Sequence, residues 1–234
     1  MKAVIMAGGR GSRLMPLTKN LPKPLVPILD KPIIHYILDG VRKAGIEETV
    51  LTLGYLGRKI QDYVEKNESG LNIRYVYEDV PLGTAGGVKN AEKYLDEDFL
   101  VLSGDAFTDI DIKELIEYHY RKKGRITIAT HKEKNPSLYG VVESDESGKI
   151  TYFEEKPMVP KSDAVNTGIY VMDRSVLDVI PKGFCDFSKD VFPKKLGEIY
   201  AYRGKFYWSD IGTLPSYYRT NYYFATRLKS SVEG

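Results

Sequence analysis

The chain has 234 residues, a formal net charge of +2, 42% hydrophobic and 28% charged residues, and one cysteine, Cys185. That length supports one large or two small domains with a buried core, while a near-neutral charge spread along the chain argues against a nucleic-acid partner. One cysteine excludes an internal disulfide and fits a reducing compartment, and no apolar run approaches the roughly 20 residues of a membrane span.

Up to about residue 130, short apolar runs alternate with helical patterns. Residues 3–6 read as a strand that breaks into Ala7, Gly8, Gly9, Arg10, Gly11, Ser12 and Arg13. A secretion signal would need a longer apolar core there, so a cytoplasmic protein without membrane contact is expected. Pro22-Lys23-Pro24 follows. Ile34, Ile37, Leu38 and Val41 then recur at helix spacing, as do Leu56, Ile60, Tyr63 and Val64 after a strand at 49–53. Further strands are expected at 73–77, 99–103 and 125–130, with helices at 84–94 and 111–122. Strands buried on both faces and separated by helices imply right-handed crossovers and a mostly parallel twisted sheet in an α/β fold. Ligands of such sheets bind at the carboxyl ends of the strands, which puts the glycine turn and Ser103-Gly104-Asp105 on one rim.

Past residue 130 the pattern shifts to short strands at 139–145, 150–155 and 165–172, with a tight turn at Ser147-Gly148. This reads as an antiparallel addition able to cover the rim. Residues 213–228 form an aromatic-rich helix with Leu214, Tyr217, Tyr218, Phe224, Ala225 and Leu228 toward one side. Nothing marks a repeat array or an interdomain linker, so one domain is expected over 1–229, with 230–234 a frayed tail.

The glycine turn alone is no more than a tight strand-to-loop connection. Arg13 and Lys23 change its meaning. Glycines let backbone N–H groups approach an anion, Arg13 offers a planar donor fork, and Lys23 a compact charge. The Lys-Ser/Thr ending of a P-loop is absent, and the spacing Gly8, Gly9, Gly11 is not that of a dinucleotide fold.

Residues 7–27 resemble the signature of the sugar-1-phosphate nucleotidyltransferases, the NDP-sugar pyrophosphorylases. The resemblance runs on in family order through Pro81-Leu82-Gly83-Thr84-Ala85-Gly86, Ser103-Gly104-Asp105, Tyr139-Gly140-Val141-Val142, Phe153-Glu154-Glu155-Lys156-Pro157, Asn166-Thr167-Gly168-Ile169-Tyr170 and Trp208-Ser209-Asp210-Ile211-Gly212-Thr213. It implies the nucleotide-diphospho-sugar transferase fold, Rossmann-like, with a nucleotide-binding part over about 1–130, a sugar-binding part over about 131–212 and a closing helix. It implies a reaction between a nucleoside triphosphate and a sugar 1-phosphate that gives an NDP-sugar and pyrophosphate, in a monomer or homodimer. Longer family members carry a C-terminal left-handed β-helix, which is not expected here.

Such a reaction is an in-line attack of a phosphate oxygen on the α-phosphorus, so positioning and charge do most of the catalysis. By resemblance, Asp105 and Asp210 hold the catalytic Mg²⁺, a pair suited to an ion that completes its shell from phosphates and water; either aspartate alone reads as a turn or cap residue. Arg13 embraces the triphosphate with Lys23 beside it, and Lys156, otherwise a surface lysine, takes the phosphate of the sugar. Ala7, Gly8, Gly9, Gly11, Ser12, Arg13, Glu78, Leu82, Gly83 and Thr84 form the nucleotide site. Gly140, Glu155, Lys156, Asn166 and Thr167 form the sugar-phosphate site, although Asn166 and Thr167 also read as an ordinary polar strand end. Tyr139 and Trp208 are pocket walls or core.

By resemblance, the residue five before Gly83, Glu78, reads the base edge; its other reading is a solvent-facing carboxylate beside Asp79. Thymidylyl- and uridylyl-transferring relatives often place glutamine there. A carboxylate only accepts, which suits the adjacent N1–H and amine of guanine and repels the carbonyls flanking the one N–H of uracil or thymine. The expectation is therefore GTP, with mannose 1-phosphate. The 81–86 block is similar to mannose-1-phosphate and heptose-1-phosphate guanylyltransferases, and glucose-1-phosphate thymidylyl- or uridylyltransferase is the runner-up. Two other classes stand beside these: a non-catalytic NDP-sugar sensor, and a glycosyltransferase using Asp109 and Asp111 as an Asp-x-Asp metal motif. Asp111 is better explained as a helix cap. His35, His119 and His131 are too scattered for zinc, and Cys185 reads as structural.

Overall fold

A computed structural model describes residues 1–68 and 70–232, the last five by backbone only. β1 (Lys2–Ala7) leads the chain into its core: Ala3, Val4 and Ile5 are wholly buried, as a strand covered on both faces requires. After the glycine turn come a small ribbon of β2 (Pro27–Ile28) and β3 (Lys31–Pro32), then α1 (Ile33–Lys43), β4 (Glu48–Leu53), α2 (Gly57–Asn67), β5 (Asn72–Tyr77), α3 (Gly83–Asn90), β6 (Phe99–Ser103), β7 (Ala106–Thr108), α4 (Ile112–Lys122) and β8 (Ile126–Lys132). The remainder is β9 (Gly140–Ser144), β10 (Ile150–Glu155), β11 (Ala164–Met172), β12 (Ile199–Tyr202), β13 (Trp208–Asp210) and α5 (Leu214–Val232). No helix among the described residues is long and apolar enough to cross a membrane.

Four strands, β6-β1-β4-β5, run parallel. β8 does not join them directly. Antiparallel β11 lies between β6 and β8, and β12 extends β8 in parallel. The sequence suggested that the strands after 130 form an addition over the rim. β11 instead enters the main sheet because Ile169, Tyr170, Val171 and Met172 are all buried, an apolar run that suits a central strand.

The first half of β11 behaves differently. It pairs with β9 at Val165↔Val141, and five of its residues, Asn166 to Tyr170, span only the three from Thr130 to Ile128 of β8. The β9–β10 hairpin therefore forks away from β6 at this irregularity. Gly168 stands at the fork with φ +77, and a Cβ there would come within 2.9 Å of the Ser103 Cβ, so glycine is needed for both reasons.

Alternate residues of β1 feed two cores. Ala3, Ile5 and Ala7 pack with α1, whose Ile34, Leu38 and Val41 are buried at helix spacing; Val4 packs with Val88, Phe187 and Phe192 on the other face. α5 closes the first face, with Phe224 against Phe107 at 4.5 Å and Tyr223 stacked on Tyr207 at 3.9 Å. This helix continues to Val232, beyond the frayed start expected at 230; residues 233 and 234 lie outside the described residues.

Candidate active site

The acid pair is assembled by a short ribbon. After β6 the chain reverses at Gly104, whose N–H donates to the Met6 carbonyl at 2.9 Å and which has no room for a Cβ, 2.7 Å from that same oxygen. Asp105 follows and leads into β7. β13 pairs antiparallel with β7 and sets Asp210 opposite Ala106, so two carboxylates far apart in sequence face each other. Lys23 Nζ donates to Asp105 Oδ2 at 2.8 Å and to Asp210 Oδ1 at 3.0 Å, Ser103 Oγ donates to Asp105 Oδ1 at 2.5 Å, and Arg13 Nη2 lies 3.7 Å from Asp210 Oδ2.

Burial alone would pull the Lys23 ammonium below its ordinary pKa, but the two aspartates outweigh it and its pKa rises. Burial likewise opposes ionisation of Asp105; the charge of Lys23, helped by Ser103 and Arg13, holds its carboxyl below the usual range. The site thus sets two basic side chains, Lys23 and Arg13, against two acidic ones. One cationic atom already touches both carboxylates, so they are spaced to share a cation. No third Asp, Glu, His or Cys joins them among the described residues, and a hard ion held there would draw its other ligands from phosphates and water. The donor set fits Mg²⁺ on those terms.

A cavity of about 760 Å³ opens beside this pair, lined among others by Ala7, Gly8, Gly9, Lys23, Glu78, Gly83, Thr84 and Asp105. Glu78 Oε2 accepts from the Leu82 N–H at 3.2 Å, just ahead of α3, and a Cβ on Gly87 would lie 2.6 Å from Oε1. Burial pushes the Glu78 carboxyl above its ordinary pKa, against the opposing effect of the Leu82 bond. Gly11, Ser12 and Leu82 do not line the cavity. Gly11 makes the turn instead: its φ is +62 and its carbonyl accepts from Thr18 Oγ1 at 2.8 Å. Leu82 fixes the wall, since its carbonyl accepts from Cys185 N. Thr84 Oγ1 donates to Asp186 at 3.0 Å and accepts from Phe187 N at 2.8 Å.

A second cavity of about 200 Å³ sits at the fork of the sheet and holds Arg13, Gly140, Glu155, Lys156, Asn166, Thr167, Trp208 and both aspartates. Arg13 lines this cavity rather than the larger one. Lys156 adopts φ +53, a left-handed conformation costly for a side chain with a Cβ, while its N–H donates to the Tyr139 carbonyl at 2.9 Å. The ammonium lies 3.4 Å from Glu155 Oε1. Asn166 spends its amide on Tyr170 and Ser188 and its oxygen on Gly168 N–H. Thr167 is 2% exposed, and its hydroxyl donates to the Ala129 carbonyl at 2.7 Å, leaving only lone pairs for a ligand. Trp208 donates to the Thr167 carbonyl at 3.0 Å and packs edge-on against Tyr139.

Sequence reasoning placed Ser103 on the rim without giving it a role, and missed Ser188 and the cavity-lining Phe184 and Asp186. Segment 184–188 meets Thr84 from about a hundred residues away and carries no motif of its own. Asp111 caps α4 through Glu114 N at 3.1 Å, and Asp109 accepts from Tyr207 N and Arg227, so neither reaches a cavity with Asp105. His35 pairs with Glu68 and His119 with Thr127, and neither lines either cavity. Cys185 is buried, its thiol pKa raised by that burial.

Residues 2–227 match the family model described as Nucleotidyl transferase. The chain belongs to the nucleotidyl transferase family. It is 36% identical to the UTP–glucose-1-phosphate uridylyltransferase of a Synechocystis strain, over 94% of this chain and 62% of that protein. It is 34% identical to the mannose-1-phosphate guanylyltransferase of Mycobacterium tuberculosis, over 93% and 62%. The chain thus spans under two thirds of the length of these relatives. Among solved structures, HddC from Yersinia pseudotuberculosis complexed with GMP-PN superposes with a TM-score of 0.83 at 29% identity, covering 95% of this chain and 99% of that one. The sheet and its helices follow the nucleotide-diphospho-sugar transferase fold of such relatives.

Proposed function

We propose that the chain transfers a nucleotidyl group from a nucleoside triphosphate to a sugar 1-phosphate, releasing pyrophosphate, with GTP and mannose 1-phosphate as its substrates. The observation that carries this reading is that the two cavities meet at Ser103 and Asp105. The larger has a glycine turn at the strand end for phosphates and Glu78 for a base edge. The smaller has Lys156 for a second phosphate and Glu155 for sugar hydroxyls. An oxygen of the sugar phosphate attacks the α-phosphorus, the α–β bridging bond breaks, and its electrons leave with pyrophosphate. Backbone groups at Gly8 and Gly9 cradle the triphosphate. Arg13, aimed along Asp210, spreads its fork between the reacting phosphates and steadies the departing charge. Lys156 brings the attacking oxygen into line.

Asp105 and Asp210 would hold Mg²⁺, which supplies positive charge shared between phosphate oxygens when bound. The lone buried thiol suits a cytoplasmic setting, and we assign a monomer or homodimer. A grid of nucleoside triphosphates against sugar 1-phosphates, read by pyrophosphate release with Mg²⁺ present, tests the whole reading. GTP with mannose 1-phosphate is expected to be fastest. Release from no pair would leave a sensor. Preference for UTP or dTTP with glucose 1-phosphate, the reading favoured by the Synechocystis relative, would overturn the base assignment alone.

A further inference from the structure

We propose that Lys23 is a built-in stand-in for the divalent cation: its ammonium holds Asp105 and Asp210 together in the nucleotide-free protein, and a metal ion gains the two carboxylates only when a nucleotide's phosphates draw the lysine away. The inference rests on the proposed function for the anion that does the drawing. Its structural ground is separate. Nζ lies 2.8 Å and 3.0 Å from one oxygen of each aspartate, where a shared cation would compete with it. The lysine side chain is 5% exposed, whereas Asp105 is 42% and Asp210 23% exposed, so the acids open to the cleft and the ammonium closes them from within.

The stem is arranged for movement at its tip only. Lys23 starts a helical turn between Pro22 and Pro24, whose rings restrict the backbone. A Cβ on Gly11 would lie 3.1 Å from its Cβ, so the root of the side chain is tightly packed. Lys23 also lines the larger cavity, which gives its tip a route toward phosphates. Charge decides the order of events. Lys23 and Arg13 together neutralise the two acids, so a bare divalent ion must expel a buried ammonium that would be left unpaired. A triphosphate offers both cations charge-assisted partners and leaves the aspartates uncompensated, the condition a hard ion needs. By linkage, the ion then tightens nucleotide binding by the factor that nucleotide tightens the ion.

Mn²⁺, titrated by its electron paramagnetic resonance signal, is the probe. Nucleotide-free Lys23→Met is expected to bind Mn²⁺ at least about tenfold tighter than nucleotide-free wild type, within the ordinary range of such couplings. Mn²⁺ should also raise the melting temperature of Lys23→Met, replacing the lost charge, and leave that of wild type unmoved. Equal Mn²⁺ affinity in the two proteins would overturn the proposal. Should Lys23→Met not fold, wild-type crystals soaked in Mn²⁺ decide the same point. Anomalous density between Asp105 and Asp210 is expected only with a non-hydrolysable GTP analogue present, with Lys23 Nζ drawn off; density without the analogue overturns the idea. A protein that binds no nucleotide would sink the proposed function instead, and the nucleotide-free comparison would still judge Lys23.

Discussion

Glu78→Gln tests the base assignment with little cost to the fold. Glutamine keeps the size of the side chain and an acceptor for the Leu82 N–H, which Glu78 Oε2 now takes at 3.2 Å. What changes is the face turned to the base. An ionised carboxylate can accept from the N1–H and the amine of guanine together, whereas the amide presents an NH₂ to one of them. Losing one charge-assisted hydrogen bond costs about 1.5–3 kcal/mol. At about 1.4 kcal/mol per factor of ten, kcat/KM for GTP should fall about 10- to 150-fold. The same amide can accept the single N–H of uracil or thymine and donate to a flanking carbonyl, so UTP and dTTP should gain. The assay is pyrophosphate release with subsaturating nucleotide and saturating mannose 1-phosphate, for wild type and variant across three nucleotides. A GTP-to-UTP ratio that does not move would refute the reasoning and place the base elsewhere in the cavity.

Arg13→Ala should lower kcat about 10²- to 10³-fold, the usual cost of one transition-state donor, while the melting temperature holds because the side chain is 66% exposed. Lys156→Gly should raise KM for the sugar 1-phosphate yet leave stability within about 1 kcal/mol in chemical denaturation, since relief at φ +53 offsets the added freedom. Gly86→Ala should destabilise by about 1–3 kcal/mol in thermal unfolding, because its Cβ would fall 2.2 Å from the Gly183 carbonyl oxygen. Burial raises the Glu78 pKa, so the folded state favours the protonated carboxyl: ionised Glu78 costs stability at neutral pH, and the cost shrinks as pH falls below the raised folded value and is gone below the ordinary one. Affinity for GTP, measured by calorimetry, should weaken on the same descent, beginning at a higher pH than for an ordinary glutamate.

Much of the sheet was legible because its central strands are apolar on both faces, and the edge strand β5 alternates exposed and half-buried residues over most of its length. The expected strand at 99–103 is β6 to the residue, and those at 3–6, 49–53 and 73–77 each lie within an observed strand. Long periodic helices were equally plain: the capping role of Asp111 was read from its place before Ile112, and Glu114 N confirms it. β7, β12 and β13 left no signal, being three or four residues long and named only by their pairing. The insertion of β11 between β6 and β8 was hidden for another reason. A chain-order reading pairs neighbours in sequence, and nothing in residues 164–172 says which two of the buried strands they will separate.

The same limit explains what was seen and unseen in the site. The resemblance paired Asp105 and Asp210, but what brings them together is the β7–β13 ribbon, three residue pairs whose pattern is too short to read. The fork at β11 does the complementary work. By turning β9 and β10 away from β6, it opens a gap bounded by Ser103 on one strand and Gly140 on another, with Gly168 between them. Lys156 at the end of β10 and Asp105 past the end of β6 thereby face one small cavity, which a continuous sheet would have closed. Two substrates that must react need adjoining but distinct recesses. Here the larger is built from the parallel strand ends and the smaller from the irregularity in a single antiparallel strand. Under the proposed function, base and sugar would therefore be read by different residues on either side of the two acids.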